Sequence, residues 1–304
     1  MPFRTIDYDG VFELVQMKDA IDAVRRAFVD FESGMFEMPT RIALGGSQVL
    51  IMPTYHRPTG SAVIKSLSLN FDRTPPIAGA VLWIELSDAN GLIIDAEAIT
   101  ALRTGAAVGV ATDLLAPPEA SRLAMFGAGA QAYFQVQAVN VVRPLTHVKV
   151  VDLDPLRAER LLARLEILLP STSVSVELDG NKALIDAEIV NCATTSLRAL
   201  FSIDSLPPKV HVNAIGAFKP GMRELPDELF AAATVVVDDP ASVLAEAGEI
   251  IEAVASGILA ASHLVPLGLA LQQPPNHTPW TVFKSVGIAV QDWAVAHLVA
   301  QRTV

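Results

Sequence analysis

A glycine-rich turn between an apolar strand and an apolar helix is the feature that most constrains this chain. Residues 123–126 read Leu-Ala-Met-Phe, residues 127–132 read Gly-Ala-Gly-Ala-Gln-Ala, and the next apolar strand ends in Asp152. In such a pattern the first glycine, Gly127, permits a tight turn, and the second, Gly129, lets an anion approach the backbone. A small residue in third place lets the helix pack closely on the strand.

The helix that follows the turn supplies the donors for an anion. The amides of Ala130 and Gln131 are expected at its N-terminus, where unpaired N–H groups and the helix dipole stabilise a pyrophosphate. Asp152 lies about 20 residues further on, where a carboxylate binds ribose hydroxyls and repels a 2′-phosphate. The pattern predicts NADH or NADPH as cofactor, with NAD favoured, although Arg157 leaves NADP use open. The alternative for Asp152 is a helix cap shared with Asp154.

Alternation of short apolar strands with helices continues from the turn to about residue 237. Strand–helix alternation indicates parallel strands joined by crossovers, so the fold class is α/β with a Rossmann-type, doubly wound parallel sheet. A helix is expected at 181–187 within this part. The stretch 253–275 contains no Asp, Glu, Lys or Arg, and its breaks indicate a buried helix, a turn and a short helix rather than a membrane span.

The first part of the chain has a different pattern. Helical spacing over 17–31 precedes strands expected at 40–44, 48–52, 62–69, 79–86 and 92–95, with a turn at 88–91. An alanine-rich helix over 98–115 then stops at Pro117 and Pro118. We therefore expect a smaller α+β substrate-binding and dimerisation domain, residues 1–115 plus a C-terminal helix at 287–304. A dinucleotide-binding domain takes residues 116–286.

Composition excludes several classes of partner. The formal net charge is −11, which argues against nucleic acid and anionic membrane surfaces, because both require a basic face. One cysteine, Cys192, allows no intrachain disulfide and fits a reducing compartment. The first residues lack the apolar core of a signal peptide, so a cytoplasmic location is expected. No metal site is predicted, since no histidines pair at metal-ligand spacing.

Three basic residues lie in apolar surroundings in the first domain. Arg41 begins a predicted strand, Lys65 lies within one, and Arg103 lies in the alanine-rich helix. A buried cation requires an anionic partner, and a guanidinium suits a carboxylate. These residues are candidates to bind a small acid, and the alternative for each is a solvated or internally paired base.

Other polar residues are given mainly structural roles. His211 precedes an apolar strand and is expected to be structural, whereas His56 is expected in a loop bordering the substrate. Glu246 and Glu249 are interpreted as helix-capping residues, with a position facing the binding cleft as the alternative. Cys192 is interpreted as a buried, inert thiol.

Several motifs, taken together, resemble the ornithine cyclodeaminase/mu-crystallin family over nearly the whole chain. They are PTR at Arg41, MP at Met52, the strand lysine Lys65, ITALRTGAA, FGAGAQA, VDLDP, VNAIGAFKPGMREL and FKSVGIAVQD. The resemblance implies a homodimer of two-domain subunits.

The resemblance also implies roles for individual residues. Arg41, Lys65 and Arg103 would hold a substrate carboxylate, with Lys65 the candidate catalytic residue. The implied substrate-binding set is Arg41, Met52, Lys65, Arg103, Phe218 and Val286. The implied cofactor-binding set is Gly127, Gly129, Ala130, Gln131, Asp152, Thr194, Ile215, Gly216, Ala217 and Ser285.

One position departs from the cyclodeaminase pattern. Cyclodeaminases carry an aspartate acid/base where this chain has Phe218, and phenylalanine cannot transfer a proton. The resemblance therefore favours a ketimine reductase that converts a small cyclic imino acid, 1-pyrroline-2-carboxylate or its six-membered analogue 1-piperideine-2-carboxylate, to L-proline or L-pipecolate. Water or Lys65 would supply the proton. The alternatives are an amino-acid dehydrogenase such as alanine dehydrogenase, an ornithine cyclodeaminase and a non-catalytic, mu-crystallin-like ligand-binding protein.

Overall fold

The computed structural model describes residues 3–70, 72, 73, 77–276 and 278–303, so His277 lies outside the described residues. The chain forms two compact units: unit 1 runs up to Ala107 and resumes at Ile288, and unit 2 is Val108–Gly287. The division falls inside a helix rather than at residue 116, since that helix continues without a break to Leu115. Val108 already belongs to the core of unit 2.

Unit 1 combines one sheet with helices. Its elements are β1 (Arg4–Ile6), α1 (Tyr8–Leu14), α2 (Met17–Glu32), β2 (Phe36–Glu37), β3 (Ile42–Leu44), β4 (Val49–His56), β5 (Ser61–Leu69), β6 (Ile77–Glu85), β7 (Asp88–Asp95) and α3 (Ala96–Leu115, shared with unit 2).

The sheet of unit 1 is the predicted meander with two additions. Its strand order is β1-β7-β6-β5-β4-β2, and β3 also pairs with β4. Neighbours are antiparallel except β1, which is parallel to β7. The turn expected at 88–91 is wrong, because Asp88 already pairs with Glu85 and the connection is the two residues Leu86 and Ser87.

Unit 2 begins within α3 and alternates strands with helices. Its elements are β8 (Arg122–Phe126), α4 (Ala132–Val142), β9 (His147–Val151), α5 (Pro155–Leu168), β10 (Ser173–Val176), α6 (Gly180–Ala183), β11 (Ile189–Cys192), β12 (Val210–Ala214), α7 (Asp227–Ala232), β13 (Thr234–Val237), α8 (Pro240–Glu246), α9 (Gly248–Ala255), β14 (Val265–Pro266), α10 (Leu267–Gln272) and β15 (Trp280–Lys284), with short 3-10 helices at Ile203–Ser205 and Ala261–His263.

The chain returns to unit 1 with its last helix, α11 (Ala289–Arg302). This helix lies against α2 and strands β4, β5 and β6. Its buried residues surround the helix, as expected of a helix enclosed by a sheet and a second helix.

The sheet of unit 2 is parallel throughout, in the order β10-β9-β8-β11-β12-β15-β13-β14. Its first six strands have the order of a dinucleotide-binding doubly wound sheet, which confirms the predicted fold class. The strand order reverses between β8 and β11, and in such sheets ligands bind outside the carboxyl ends of the strands at this point.

Both faces of this sheet are covered. Along β8, Leu123 and Met125 belong to one apolar core, and Ala124 and Phe126 belong to the other. Successive strand residues point to opposite faces, so the two cores lie on opposite sides of the sheet. Burial on both faces accounts for the continuous apolar strands in the sequence.

The predicted elements of unit 2 differ from the structure at three places. Helix 181–187 is only the short α6, because Asp186 has a left-handed φ of 63° that ends helical geometry. Strand β15 was missed, since it follows a proline-rich segment. The stretch 253–275 holds the end of α9, a 3-10 turn and α10, as predicted, but also the two-residue strand β14.

Helix α3 has the length and mean hydropathy of a membrane-spanning helix. Of its most apolar 18-residue segment, 78% is buried inside the protein, and the core helices of soluble proteins are buried in the same way. Its composition therefore does not by itself indicate a membrane span.

The packing of α5 can be tested with two leucines on that helix. Leu165 is fully buried in the core of unit 2, whereas Leu156 is 61% exposed. We expect Leu165→Ala to lower the free energy of unfolding by about 2–5 kcal/mol because it leaves a cavity. Leu156→Ala should change it by less than about 0.5 kcal/mol. Urea denaturation measures both, and equal losses would contradict the assigned core.

Candidate functional site

The predicted cofactor residues of unit 2 follow the carboxyl ends of neighbouring strands. Gly127 follows β8, Asp152 follows β9, Thr194 comes shortly after β11, Ile215 follows β12 and Ser285 follows β15. Since the strands are parallel and adjacent, their carboxyl ends lie along one edge of the sheet. The structure thus brings segments that are far apart in sequence to the edge where a dinucleotide binds.

The glycine turn fits a pyrophosphate. Gly127 has a φ of 92°, and a Cβ there would lie 2.6 Å from the carbonyl oxygen of Ala193. A Cβ on Gly129 would meet no atom within 4 Å, which leaves open space beside the backbone. Helix α4 starts at Ala132, so the turn leads directly into a helix N-terminus, whose free amides stabilise an anion. The turn can therefore accept an anion.

Asp152 is fixed against this turn. Its Oδ2 accepts a hydrogen bond from the Ala128 amide at 2.6 Å, and its Oδ1 accepts one from the Asp154 amide at 2.8 Å. Asp154, in contrast, is the N-cap of α5 and accepts from the Leu156 amide. The alternative of Asp152 as a helix cap is therefore wrong. Arg157 is paired with Asp154 at 3.4 Å.

A second carboxylate lies between the loops after β11 and β12. The Glu224 Oε1 atom accepts hydrogen bonds from the amide and hydroxyl of Thr194, at 2.6 and 2.9 Å. Its Oε2 atom accepts from the amides of Gly216 and Ala217, at 2.6 and 3.2 Å. Glu224 is fully buried. Three predicted cofactor residues thus depend on a residue that the sequence analysis did not single out.

A buried ion pair supports Glu224. Glu249 accepts from the backbone amides of Glu224 and Leu225 at 2.8 and 2.9 Å, and its other oxygen is paired with the Lys284 ammonium at 2.8 Å. Glu249 and Lys284 are fully buried. The interpretation of Glu249 as a helix-capping residue is wrong, because α9 has no side-chain cap and this carboxylate points to Lys284.

A third carboxylate, Asp238, holds the segment after β15. Its Oδ2 accepts from the Ser285 hydroxyl at 2.6 Å and from the amides of Val286 and Gly287 at 3.0 and 2.8 Å. Burial raises the pKa of Asp238, and the hydrogen bonds from Ser285 and Gly287 oppose that rise. The predicted residues Ser285 and Val286 are therefore placed by a carboxylate that directly follows the neighbouring strand β13.

Phe218 contributes apolar surface to unit 2. Its half-buried ring packs against the same core as Val286, and the Lys219 ammonium lies 5.7 Å from the ring centroid. Ile215 packs against the opposite core. The position expected for an acid/base residue thus holds a ring that cannot exchange protons.

In unit 1, the predicted basic residues meet a carboxylate on α11. The Lys65 ammonium donates to Asp292 Oδ1 at 2.8 Å, and the Arg103 Nε atom lies 3.4 Å from the same oxygen. Arg103 also donates to Gln291 Oε1 at 2.6 Å. Lys65 and Asp292 are fully buried, and the Asp292 Oδ2 atom has no hydrogen-bond partner among the described residues. Asp292 lies in the quoted FKSVGIAVQD motif, but no role was assigned to it.

This environment changes the acidity of Lys65. Burial lowers the pKa of Lys65 to about 7, the Asp292 carboxylate opposes the fall, and the charges of Arg103 and Arg41 add to it. Arg41 is half-buried just before β3, and Met52 is buried on β4 directly opposite Lys65. Lys65, Met52 and Arg103 thus lie within one unit, and Lys65 can exist in both protonation states near neutral pH.

The interpretations of His211 and Cys192 agree with the structure, whereas that of His56 does not. His211 is fully buried between Thr281 and Asn213, and burial lowers its pKa to about 4. Cys192 is buried at the end of β11, and burial raises its pKa. His56 is not in a loop: it is the last residue of β4, buried against the ring of Trp293.

A cavity of about 470 Å³ lies elsewhere in unit 2. Arg122, His147, Lys149 and Asp186 are among its lining residues. Arg122 and His147 begin β8 and β9, so the cavity is at the amino ends of these strands. None of the predicted site residues lines it.

Similarity to known proteins agrees with this geometry. The family model for the ornithine cyclodeaminase/mu-crystallin family matches residues 7–304. Alanine dehydrogenase from Archaeoglobus fulgidus is 30% identical over 97% of this chain and 93% of its own length. L-lysine cyclodeaminase from Streptomyces rapamycinicus is 35% identical over 76% of this chain and 71% of its own length.

A solved structure matches nearly the whole fold. The Δ1-pyrroline-2-carboxylate reductase of Thermococcus litoralis, in complex with NADH and L-proline, superposes with a TM-score of 0.92 at 27% identity and covers 99% of this chain and 97% of that chain. Relatives named as reductases of C=N bonds, together with this NADH-bound neighbour, support the class of NAD(P)-dependent oxidoreductases acting on C=N bonds. The chain belongs to the ornithine cyclodeaminase/mu-crystallin family, which confirms the resemblance noted in its sequence.

The pairing of Lys65 with Asp292 gives a direct prediction. Asp292→Asn removes the charge that raises the Lys65 pKa, so this pKa should fall below about 7. The variant should also lose about 3–5 kcal/mol of stability, because a buried ion pair loses one partner. NMR titration of ¹³C-labelled lysine measures the pKa, and thermal unfolding measures the stability.

Glu37→Gln is the matched control, since it removes a carboxylate from an exposed pair with Arg57 in the same unit. It should leave the Lys65 titration unchanged. A Lys65 pKa that stays the same or rises in Asp292→Asn would contradict the assigned coupling.

Proposed function

We propose that this protein is a ketimine reductase that uses NADH or NADPH to reduce 1-pyrroline-2-carboxylate to L-proline, and so acts in proline metabolism. The six-membered 1-piperideine-2-carboxylate is a second substrate of the same chemistry, with L-pipecolate as product. The nicotinamide, when bound, supplies a hydride to the carbon of the C=N bond. The chain's own residues bind the imino acid, orient it and handle the proton.

The nature of Phe218 carries the choice of a reductase over a cyclodeaminase. Cyclodeamination needs a base to process two amines, and Phe218 offers an apolar ring packed against the core of unit 2. Reduction of a preformed cyclic imine needs a fixed orientation and one proton. It needs no base at this position, so an apolar ring there is compatible with the reaction.

The basic residues of unit 1 supply the recognition of a carboxylate. In this proposal Arg41 and Arg103 bind the substrate carboxylate, since a guanidinium can donate two parallel hydrogen bonds to it. Asp292 holds Arg103 and Lys65 together through one oxygen atom. Met52 adds apolar surface beside Lys65 for the ring of the imino acid.

Lys65 is the proposed proton donor to the imine nitrogen. A pKa of about 7 means that its ammonium form is present near neutral pH and can release a proton readily. After the transfer, the neutral amine would regain a proton from solvent. The alternative donor is a water molecule, in which case removal of the Lys65 amine would raise the KM for the imine without an equal loss of kcat.

Asp152 supports NADH as the preferred cofactor. Its carboxylate is held at the glycine turn by two backbone amides, where it would repel a 2′-phosphate.

A second candidate function is an amino-acid dehydrogenase acting on pyruvate and ammonia. The 30% identity to the alanine dehydrogenase of Archaeoglobus fulgidus over 97% of the chain favours it. The imine formed from pyruvate also carries a carboxylate next to its C=N carbon, so the same basic residues would bind it.

We also propose a homodimer. Ile42 and Leu44 point the same way on β3 and are 48% and 49% exposed. Apolar side chains exposed together on an edge strand of unit 1 suit burial by a second copy, in agreement with the dimerisation role that the family resemblance implies.

The activity can be tested by following NADH and NADPH absorbance with each substrate. We expect oxidation of NADH with 1-pyrroline-2-carboxylate, slower turnover with NADPH because of Asp152, and no ammonia release from ornithine. Turnover that requires pyruvate and ammonia would favour the dehydrogenase instead. Binding of an aromatic, hormone-like ligand with no turnover of any imine would favour the ligand-binding alternative.

Arg103→Lys refines the same test. It keeps the positive charge but loses the planar fork, so the KM for the imine should rise about tenfold with a smaller effect on kcat. Arg57→Lys is the matched control, because Arg57 is an exposed arginine of unit 1 paired with Glu37. An unchanged KM in Arg103→Lys would contradict the proposed binding of the carboxylate.

The homodimer predicts a mass of twice the 32.3 kDa of one chain by light scattering. Replacing Ile42 and Leu44 together by glutamate should shift the protein to the monomer mass, since charges would be buried in the interface. Ile167→Glu, at a position 84% exposed on α5 of unit 2, should leave the dimer intact. A monomeric wild-type protein would refute the assembly, and a dimer that survives the double change would refute its location.

A further inference from the structure

The loops after β11 and β12 are tied together by a single side chain. Thr194 lies in the first loop, Gly216 and Ala217 lie in the second, and all three are predicted to bind the dinucleotide. Each oxygen of the Glu224 carboxylate accepts its hydrogen bonds from one loop: Oε1 from Thr194, Oε2 from Gly216 and Ala217. The width of one carboxylate therefore sets the separation of the two loops.

Close packing leaves these loops little freedom. A Cβ on Gly216 would lie 2.4 Å from Glu224 Oε1 and 2.0 Å from the carbonyl oxygen of Thr194. The Thr194 side chain in turn packs near Gly127, where a Cβ would lie 3.1 Å from Cγ2. The glycine turn and both loops are thus packed against one another around Glu224.

Glu224 is itself held from behind. Its backbone amide donates to Glu249, and Glu249 is paired with Lys284, the last residue of β15. Lys284 also fixes the strand end that precedes Ser285, another predicted cofactor residue. The network therefore links the carboxyl ends of three neighbouring strands, β11, β12 and β15, without exposing a charged atom.

We propose that Glu224 is the positioning residue of the dinucleotide site, and that it acts through Thr194, Gly216 and Ala217 rather than by contact with the cofactor. Its carboxylate orders both loops in the geometry that binds the dinucleotide, and the Glu249–Lys284 pair keeps the carboxylate in place. The inference rests on the cofactor site and is independent of which imine is the substrate.

The network also links cofactor binding to pH. Burial raises the pKa of Glu224 to about 7, the Lys284 charge lowers it, Glu249 raises it, and the hydrogen bonds from Thr194 lower it. Cys192, at the end of β11, also faces this carboxylate and has a raised pKa, so it is neutral near pH 7. A proton on Glu224 occupies one oxygen and prevents that oxygen from accepting a loop amide. Cofactor affinity should therefore weaken as the pH falls through about 7.

Fluorescence titration with NADH, in the absence of any imine, tests the proposal. Glu224→Gln presents an amide group to one set of loop donors, so it should weaken NADH binding about 10- to 100-fold. The affinity of the wild type should fall between pH 8 and pH 6 (about one pH unit on each side of the Glu224 pKa), whereas that of Glu224→Gln should be nearly constant. A residue with a merely structural role would not flatten this pH profile.

Two controls separate positioning from loss of folding. Glu188→Gln alters a carboxylate that accepts from the amides of Ser121 and Arg122 at the amino end of β8, and it should not change NADH affinity. Thr194→Val removes one hydroxyl donor to Glu224, should weaken NADH binding several-fold, and should be rescued by Thr194→Ser.

The outcomes are decisive for either variant. A folded Glu224→Gln protein with unchanged NADH affinity and an unchanged pH profile would overturn the proposal. If Glu224→Gln does not fold by circular dichroism, Thr194→Val decides through its pH profile, because the Thr194 hydroxyl lowers the Glu224 pKa. A midpoint of NADH affinity that shifts to higher pH in Thr194→Val and returns in Thr194→Ser would support the proposal, and an unchanged midpoint would overturn it. Neither result depends on turnover of an imino acid.

Discussion

Pairing of buried carboxylates with fixed donors is the interaction on which the rest of this structure depends. Glu224, Asp238 and Asp292 are buried, and an unpaired charge in such a position would cost several kcal/mol. Each therefore gathers donors: Glu224 from two loops, Asp238 from the segment after β15, and Asp292 from two basic side chains. Seven of the predicted binding residues are hydrogen-bonded or paired to these carboxylates: Lys65, Arg103, Thr194, Gly216, Ala217, Ser285 and Val286.

The parallel sheet determines where such a network can form. In a doubly wound sheet every strand ends at the same edge, so loops that are far apart in sequence become neighbours there. The chain places Gly127 and Asp152 at this edge through β8 and β9, and it places Thr194 and Gly216 there through β11 and β12. Burial of the sheet on both faces leaves this edge for the polar loops, in which the buried carboxylates find backbone amides as partners.

Local sequence patterns were sufficient for strands β8 to β13 of unit 2 and for its glycine turn, but not for β14 and β15. Residues 122–151 show the strand, glycine turn, helix and second strand in the predicted order, because each signal depends on neighbours within a few residues. The role of Glu249 was misjudged, because an acidic residue in the first turn of a helix usually interacts with that helix, whereas here its partner is Lys284 on another strand. His56 was placed in a loop because the predicted strand ended at Met52, before the Arg-Pro-Thr-Gly turn, yet strand pairing with β5 extends to His56.

By itself, the sequence determined the fold class, the family, the dinucleotide turn and the three basic residues of unit 1, since these depend on periodicity, on glycine conformation and on motifs read along the chain. Only the tertiary structure decided which carboxylate serves which residue. Lys65 and Asp292 are separated by 227 positions, and Glu224 reaches back to Thr194 across 30. Such pairings arise because folding withdraws both partners from water at the same place, and no local pattern records which partner will be there.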